Sequence, residues 1–383
     1  MRILLLHNHY RFPGGEDAVV NDELNLLLEH GHDVDIIERT NESIHDHSAW
    51  AAGLSAVWSR GSYHEVEHAI KKFRPDIVHA HNTFPLISPS AYWAATSLGI
   101  PVVQTLHNFR NICANALMLR DGKTCEQCIG KIPWRGVVHK CYRNSGLQSL
   151  SLVSMLTLHQ VIGSYKNKIN TYIALNEYCR QKFVAGGLPG DRIVVKPNFS
   201  TDPGEFPIEN RSGFLYVGRL SEEKGLHTLI KAANASQQRI TVIGDGPLVH
   251  EARKCQMLDV RGHCDRATVL ALMARASYLI VPSIWYENMP RTVIEAFSCG
   301  LPVIASNIGA LTDLVKHGVT GLQFPVGDAS ALASILTAAA KQDHATARSM
   351  HEGARAEYLK QYIPAKNYEH LLGIYEYAQA HPI

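Results

Sequence analysis

Short apolar runs alternate with helical periodicity twice along this chain, and a proline-rich break separates the two series. The first series has runs near Ile3–Leu6, Val34–Ile37, Ile77–Ala80, Val102–Leu106, Tyr172–Ala174 and Ile193–Val195. They read as buried parallel strands between helices. The second series has Phe214–Val217, Ile240–Ile243, Tyr278–Val281, Pro302–Ala305 and Gly321–Phe324. Between the two, Lys196 to Asn210 carries three prolines and no clear period, which puts a domain junction there. Two successive βαβ series predict an α/β chain of two doubly wound, Rossmann-like domains facing each other across a cleft. The length of 383 residues agrees, because single cores seldom grow past roughly 250–300 residues. We expect an N-terminal domain over 1–200 with a cysteine-rich insertion at 110–145, a C-terminal domain over 201–364, and a last helix within 365–383.

Chemistry concentrates in the second series. Glu287 and Glu295 flank a segment of helical length whose first turn carries Pro290. Proline favours the first helical position, where its missing amide would be unsatisfied anyway. The start runs Pro290, Arg291, Thr292, and its free amides with the positive end of the helix dipole suit a diphosphate. Glu287 falls in the loop just ahead, with Asn288 and Met289 between. Glu295 falls one to two turns inside, within reach of a ribose. Upstream, the strand Phe214–Val217 ends at Gly218, and a helical pattern begins near Lys224. Arg219 and Lys224 are thereby delivered at a strand's carboxyl end, where open α/β sheets bind ligands. Arg can grip a phosphate bidentately and Lys adds a point charge. Val242 to Leu248 is another strand ending in a glycine turn at Gly244. A strand, an anion-binding helix start, two cations and two acids point to a nucleotide-sugar site.

At these motifs the chain resembles the retaining glycosyltransferases of family 4, which have the GT-B fold. The resemblance rests on Val217-Gly218-Arg219 with Lys224-Gly225, on Gly244-Asp245-Gly246-Pro247, on Glu287 and Glu295 eight apart, and on Gly300-x-Pro302-Val303. Pro13-Gly14-Gly15-Glu16 after the first strand and His107 in Gln-Thr-Leu-His extend it into the first half. The resemblance implies a retaining transferase moving a sugar from a UDP- or GDP-sugar to a lipid-linked or glycan acceptor, in surface polysaccharide or glycoconjugate biosynthesis. It assigns Glu295 to the ribose, Glu287 and His107 to the donor sugar, and Gly14 and Gly15 to close backbone approach. It also implies that the last helix crosses back to the first domain, and that transfer proceeds by same-face attack without a protein nucleophile. Arg219, Lys224 and the helix start would neutralise the leaving diphosphate, so no metal cofactor is required for catalysis. Two departures stand out: Asn288-Met289-Pro290 replaces glycines that commonly follow the first glutamate, and Asn108 replaces a common acid. A small soluble acceptor, a GT-B sugar-nucleotide epimerase and a non-catalytic binding module are the rival readings.

A net charge of +2 argues against a dedicated nucleic-acid binder. Its distribution matters more: from His81 to Ser200 there are 13 Lys and Arg against 4 Asp and Glu. Between Lys131 and Lys182 that basicity accompanies Leu150, Leu152, Val153, Leu156 and Leu158, a combination suited to an anionic acceptor or a membrane surface. The charge-free stretches 77–109 and 144–165 are broken by prolines, serines and histidines, so neither reads as a membrane span. The chain opens directly on a strand with no visible secretion signal. We therefore expect a cytoplasmic protein, peripheral on the membrane face, with reduced cysteines.

Cys113, Cys125, Cys128 and Cys141 are spaced C-x11-C-x2-C-x12-C within a polar, turn-rich insertion. That pattern is a candidate structural tetrathiolate zinc site, with His139 as a substitute ligand. An insertion with so little core of its own could use such a staple.

Overall fold

The apolar runs fold into parallel strands, as their length and burial on both faces require. The structure is a computed structural model that describes residues 1–9, 14–40, 55–209, 211–342 and 344–383. Pro13 of the glycine-rich loop lies outside the described residues. In chain order the strands are β1 (Arg2–His9), β2 (Asp33–Thr40), β3 (Ile77–Asn82), β4 (Val102–Leu106), β5 (Leu119–Arg120), β6 (Lys123–Thr124), β7 (Thr171–Ala174) and β8 (Ile193–Val195). There follow β9 (Phe214–Val217), β10 (Ile240–Ile243), β11 (Leu258–Gly262), β12 (Tyr278–Val281), β13 (Val303–Asn307) and β14 (Gly321–Pro325).

The chain divides into two units: Met1–Met118, Cys125–Pro197 and Ala365–Ile383 form the first, Leu119–Thr124 and Asn198–Pro364 the second. The first sheet has the order β2-β1-β3-β4-β7-β8, and all its pairs are parallel. Its chain order reverses between β1 and β3. One face is covered by the last helix, Pro364–Ala380. Its Leu371, Ile374, Tyr375 and Ala378 pack with Ile3, Leu5, Ile77, Val103 and Ile173. Burying side chains of that size contributes about 1.5–3 kcal/mol each.

The second sheet has the order β11-β10-β9-β12-β13-β14, also parallel throughout. Here the order reverses between β9 and β12, the switch point at which such sheets bind ligands. Its core joins Tyr216, Leu229, Val242, Tyr278, Ile304 and Phe324. The sixth strand, β11, has no counterpart among the five apolar runs. Leu-Asp-Val-Arg-Gly alternates polar with apolar because it is an edge strand with one solvated face. The remaining two strands, β5 and β6, make a two-residue hairpin closed by Asp121 and Gly122, both at positive φ, as a type I′ turn requires.

Candidate active site

In the second unit the strand-end loops bring the expected groups together. The helix after β9 begins at Leu226, just past Lys224. Lys224 therefore sits in the turn ahead of it, with Arg219 exposed nearer the strand. The turn is tight because Gly225 has φ +74° and lies so near the loop after β12 that a Cβ would stand 1.7 Å from the carbonyl of Pro282. This approach delivers Lys224 to Glu287: Nζ donates to Oε1 at 2.7 Å and to Oε2 at 3.0 Å. Ser283 Oγ donates to the same Oε1 at 2.6 Å. Glu287 is buried, 4% exposed, so its charge is matched by the half-buried ammonium. Lys224 Nζ also lies 5.2 Å from the ring centroid of Trp285, a cation–π contact.

Gly218 and Gly244 are packed against each other. The Gly218 amide donates to Ile243 O at 3.0 Å, and a Cβ on Gly244 would meet Gly218 O at 1.9 Å. Gly244 thus lets the β10 loop seat the β9 loop that carries Arg219. Asn288 and Met289 are buried. Pro290 is not in the first helical turn. It caps the helix Arg291–Ser298 in an extended conformation, φ −69° and ψ 115°, so the first free amides belong to Arg291 and Thr292. Glu295 lies in the second turn, with Arg291 Nη2 at 3.4 Å and Arg266 Nε at 3.7 Å from its Oε1.

In the first unit the carboxyl ends of β1, β3 and β4 gather a histidine cluster. Gly14 precedes the helix Gly15–Glu29, and its amide donates to Asp17 Oδ2 at 2.7 Å. Asp17 Oδ1 meets His7 Nε2 at 2.9 Å and His9 Nδ1 at 3.2 Å. Burial opposes ionisation of Asp17, but bonds from His7 and the Gly14 amide outweigh it and hold the carboxyl below its usual range. Asn108 Nδ2 donates to Glu16 Oε2 at 3.2 Å. His107 Nε2 lies 2.9 Å from His81 Nδ1, the two rings stacked at 5.2 Å. Burial pushes both imidazoles well below their ordinary range. Each is therefore neutral near pH 7 with a single ring N–H, and the bond between them ties the two tautomers together.

Sequence patterning missed what stands behind His81. Its Nε2 lies 3.6 Å from Glu23 Oε2, and Glu23 Oε1 accepts from Lys196 Nζ at 2.6 Å. Lys196 donates further to Asn367 Oδ1 at 3.2 Å. Lys196 and Glu23 are 0% and 1% exposed, and a buried ion pair persists only when each partner keeps the other. A signal was present for Glu23, which stands four residues from both Val19 and Leu27 on the apolar face of its helix. Arg266 was missed as well, because it begins a helix distant in sequence.

The insertion places Cys113, Cys125 and Cys128 with Cys141, all as free thiols. Burial, then Cys113, Cys125 and Cys141, push the Cys128 thiol up to about 11. His139 is exposed. Among the described residues, the sets of three ligand atoms mutually within 4.8 Å are His7, His9, Asp17 and Glu23, His79, His81. No three cysteine sulfurs lie mutually that close. Leu152, Val153 and Leu156 of the helix Gly146–Val161 are core rather than surface. Its exposed apolar residues are Leu147, Leu150, Leu158 and Val161. No described helix is long and apolar enough to cross a membrane.

Comparison with known proteins gives the arrangement its family. The profile described as "Glycosyltransferase Family 4" matches residues 13–199, and that of "Glycosyl transferases group 1" matches 199–357. A glycogen synthase of Mycobacterium tuberculosis is 25% identical over 87% of this chain and 84% of its own. Among solved structures, Anabaena HepE in complex with UDP superposes with a TM-score of 0.68 at 19% identity, over 97% of this chain and 99% of that one. The same protein is also solved with UDP-glucose, TM-score 0.66 at 17% identity, over 97% and 98%. The lipopolysaccharide outer core galactosyltransferase WaaB superposes at 0.65 with 16% identity, over 98% and 99%. The chain belongs to the group 1, family 4 glycosyltransferases, and its two parallel α/β sheets are those of the GT-B fold.

Proposed function

We propose that this glycosyltransferase moves a sugar from a UDP- or GDP-sugar to a lipid-linked or glycan acceptor with retention of anomeric configuration, in surface polysaccharide or glycoconjugate biosynthesis. The observation that carries the reading is the constellation at the β9–β12 switch point: Lys224 on Glu287, beside a helix start whose Glu295 stands near two arginines. When the anomeric bond breaks, negative charge moves to the diphosphate and the sugar becomes oxocarbenium-like. Arg219, Lys224 and the amides of Arg291 and Thr292 are preorganised donors for that charge. A divalent metal is not needed for this role. Glu295 takes the ribose hydroxyls, and Glu287, with Asn288 and Met289 beside it, faces the donor sugar. Pro290, without an amide, shapes the turn only. In the first unit His107 is assigned to the sugar's hydroxyls, and Gly14 and Gly15 to backbone approach.

Complexes of Anabaena HepE with UDP and UDP-glucose support a UDP-sugar. The glycogen synthase and the outer core galactosyltransferase support a glycan acceptor. Leu147, Leu150, Leu158 and Val161 form one exposed stripe on their helix, and the exposed Ile132, Trp134 and Val138 lie in the neighbouring insertion. Lys131, Arg135, Lys140 and Arg143 flank them in sequence. Basic charge beside exposed apolar surface is how a protein lies on an anionic bilayer. The reading is a cytoplasmic enzyme, peripheral at the membrane. A panel of UDP-, GDP-, ADP- and dTDP-sugars in thermal shift identifies the donor, since ligand at 100 times its Kd stabilises by about 2.7 kcal/mol. Anomeric analysis of the product by NMR then tests retention: an inverted product, or donor consumed without acceptor, overturns the proposal.

A further inference from the structure

We propose that Cys113, Cys125, Cys128 and Cys141 bind one structural zinc ion that holds the insertion after β4 in shape. Three independent features of the segment support this. The first is convergence. The three other cysteines are the neighbours that act electrostatically on Cys128. Gly136 brings the first and last together: a Cβ there would stand 2.8 Å from Ala114 Cβ and 4.0 Å from Cys141 Cβ. The Cys141 amide donates to Gly136 O at 2.9 Å, so Gly136 docks the cysteine-bearing turn directly against the residue after Cys113.

The second feature is the orientation of backbone amides. Those of Asn115, Ala116 and Met118 are aimed at the Cys113 sulfur, and that of Gly136 at the Cys128 sulfur. Hydrogen bonds from such amides orient a metal-bound sulfur. Cys113 Sγ also donates to Asn115 Oδ1 at 3.0 Å, a thiol bond that metal binding replaces.

The third is strain that burial accounts for only in part. Ala116, Met118, Asp121, Lys140, Arg143 and Asn144 all have positive φ, six of the nine such non-glycine residues described. Each costs on the order of 1–3 kcal/mol unless its surroundings impose it. Ala116 and Met118 are buried and Asp121 sits in the hairpin turn, but Ile132, Trp134 and Val138 are 54%, 58% and 64% exposed, so apolar burial does not account for Lys140, Arg143 and Asn144 beside them. A metal crosslink does. Zinc–sulfur bonds of about 2.3 Å set tetrahedral sulfurs about 3.8 Å apart. No three of the sulfurs lie mutually within 4.8 Å, so the ion must draw them together on binding. Four thiolates leave no open position for water, so the ion is structural and takes no part in transfer.

The test is the metal content of the full chain, expressed without a histidine tag and purified without chelator. Elemental analysis is expected to find about one zinc per chain. Titration with a mercurial should release it as four thiols react, and cobalt(II) substitution should give the absorption of a tetrahedral thiolate site. Cys125→Ser with Cys128→Ser should abolish binding, whereas Cys264→Ser, outside the cluster, should leave it unchanged. Should the double variant fold poorly, the mercurial and cobalt readouts on the unaltered chain decide alone. Zinc far below one per chain, zinc retained by the folded double variant, or thiols that titrate without releasing metal would each overturn the proposal.

Discussion

Lys224 Nζ lies 2.7 Å from one oxygen of Glu287 and 3.0 Å from the other, although the two stand 63 residues apart. The ammonium expected to meet phosphate is thus held by the carboxylate expected to meet the sugar. Binding of a diphosphate must share that lysine rather than recruit a free one. Lys224→Ala is expected to lower kcat by roughly 10²–10³, the usual cost of one preorganised donor at developing charge. Glu287→Gln keeps the shape and removes the charge, and should cost roughly ten- to a hundredfold. Combining Lys224→Ala with Glu287→Gln should lose less than the product of the single losses. Steady-state kinetics across the four proteins checks this; strict multiplicativity would mean that the pair does not act as a unit.

Glu295 stands between Arg266 and Arg291. Glu295→Ala should weaken donor binding roughly ten- to a hundredfold, as loss of a charged hydrogen-bond partner does, without unfolding the unit. Calorimetry with the bare nucleoside diphosphate reads the effect. Unchanged affinity would remove Glu295 from the ribose.

Burial lowers the pKa of His79 to about 4, where Nδ1 meets Tyr375 OH at 2.7 Å and Nε2 meets Thr105 Oγ1 at 2.8 Å. Above about pH 6.5 both folded and unfolded chains hold this imidazole neutral, so it has no pH-linked effect. Below that, the unfolded chain binds a proton that the folded chain refuses. Stability should therefore fall between pH 6.5 and 4, by up to roughly 3 kcal/mol from this residue. Urea midpoints at pH 7 and pH 5 measure it. His79→Gln should flatten the slope while lowering stability at pH 7, and an unchanged slope would assign the acid sensitivity elsewhere.

Leu150 and Leu158 are 49% and 39% exposed on the helix Gly146–Val161. Replacing both by Glu should abolish flotation with anionic vesicles and shift the melting temperature little, because exposed substitutions change stability by about 0.5 kcal/mol or less. No flotation by the unaltered chain would leave only the soluble or glycan acceptor.

Gly225→Ala tests the close approach that positions Lys224. Its positive φ alone costs about 1–3 kcal/mol, and the clash with Pro282 O adds to it. The expected result is a clear loss of stability in thermal unfolding together with lost transfer. Wild-type melting would show that the two loops can separate freely.

Local pattern alone determined a great deal here. Apolar runs such as Ile3–Leu6 and Tyr278–Val281 announced buried parallel strands, since both faces of such a sheet are covered and no polar alternation interrupts them. Glu287, Glu295, Arg219 and Lys224 could be placed near strand ends and a helix start because adjacent residues dictate where those elements begin and end. The edge strand β11 escaped that logic, as one solvated face makes Leu-Asp-Val-Arg-Gly read like a loop. Tertiary structure alone decided the partnerships. Lys224 with Glu287, Arg266 with Glu295, and His107 with His81 before Glu23 and Lys196 are pairings across 63, 29, 26 and 173 residues. Such pairs arise where separate strands and helices are brought side by side. Whether a lone Lys or Glu in an apolar segment ends in water or in a buried ion pair depends on which element packs over it, and no local periodicity carries that information.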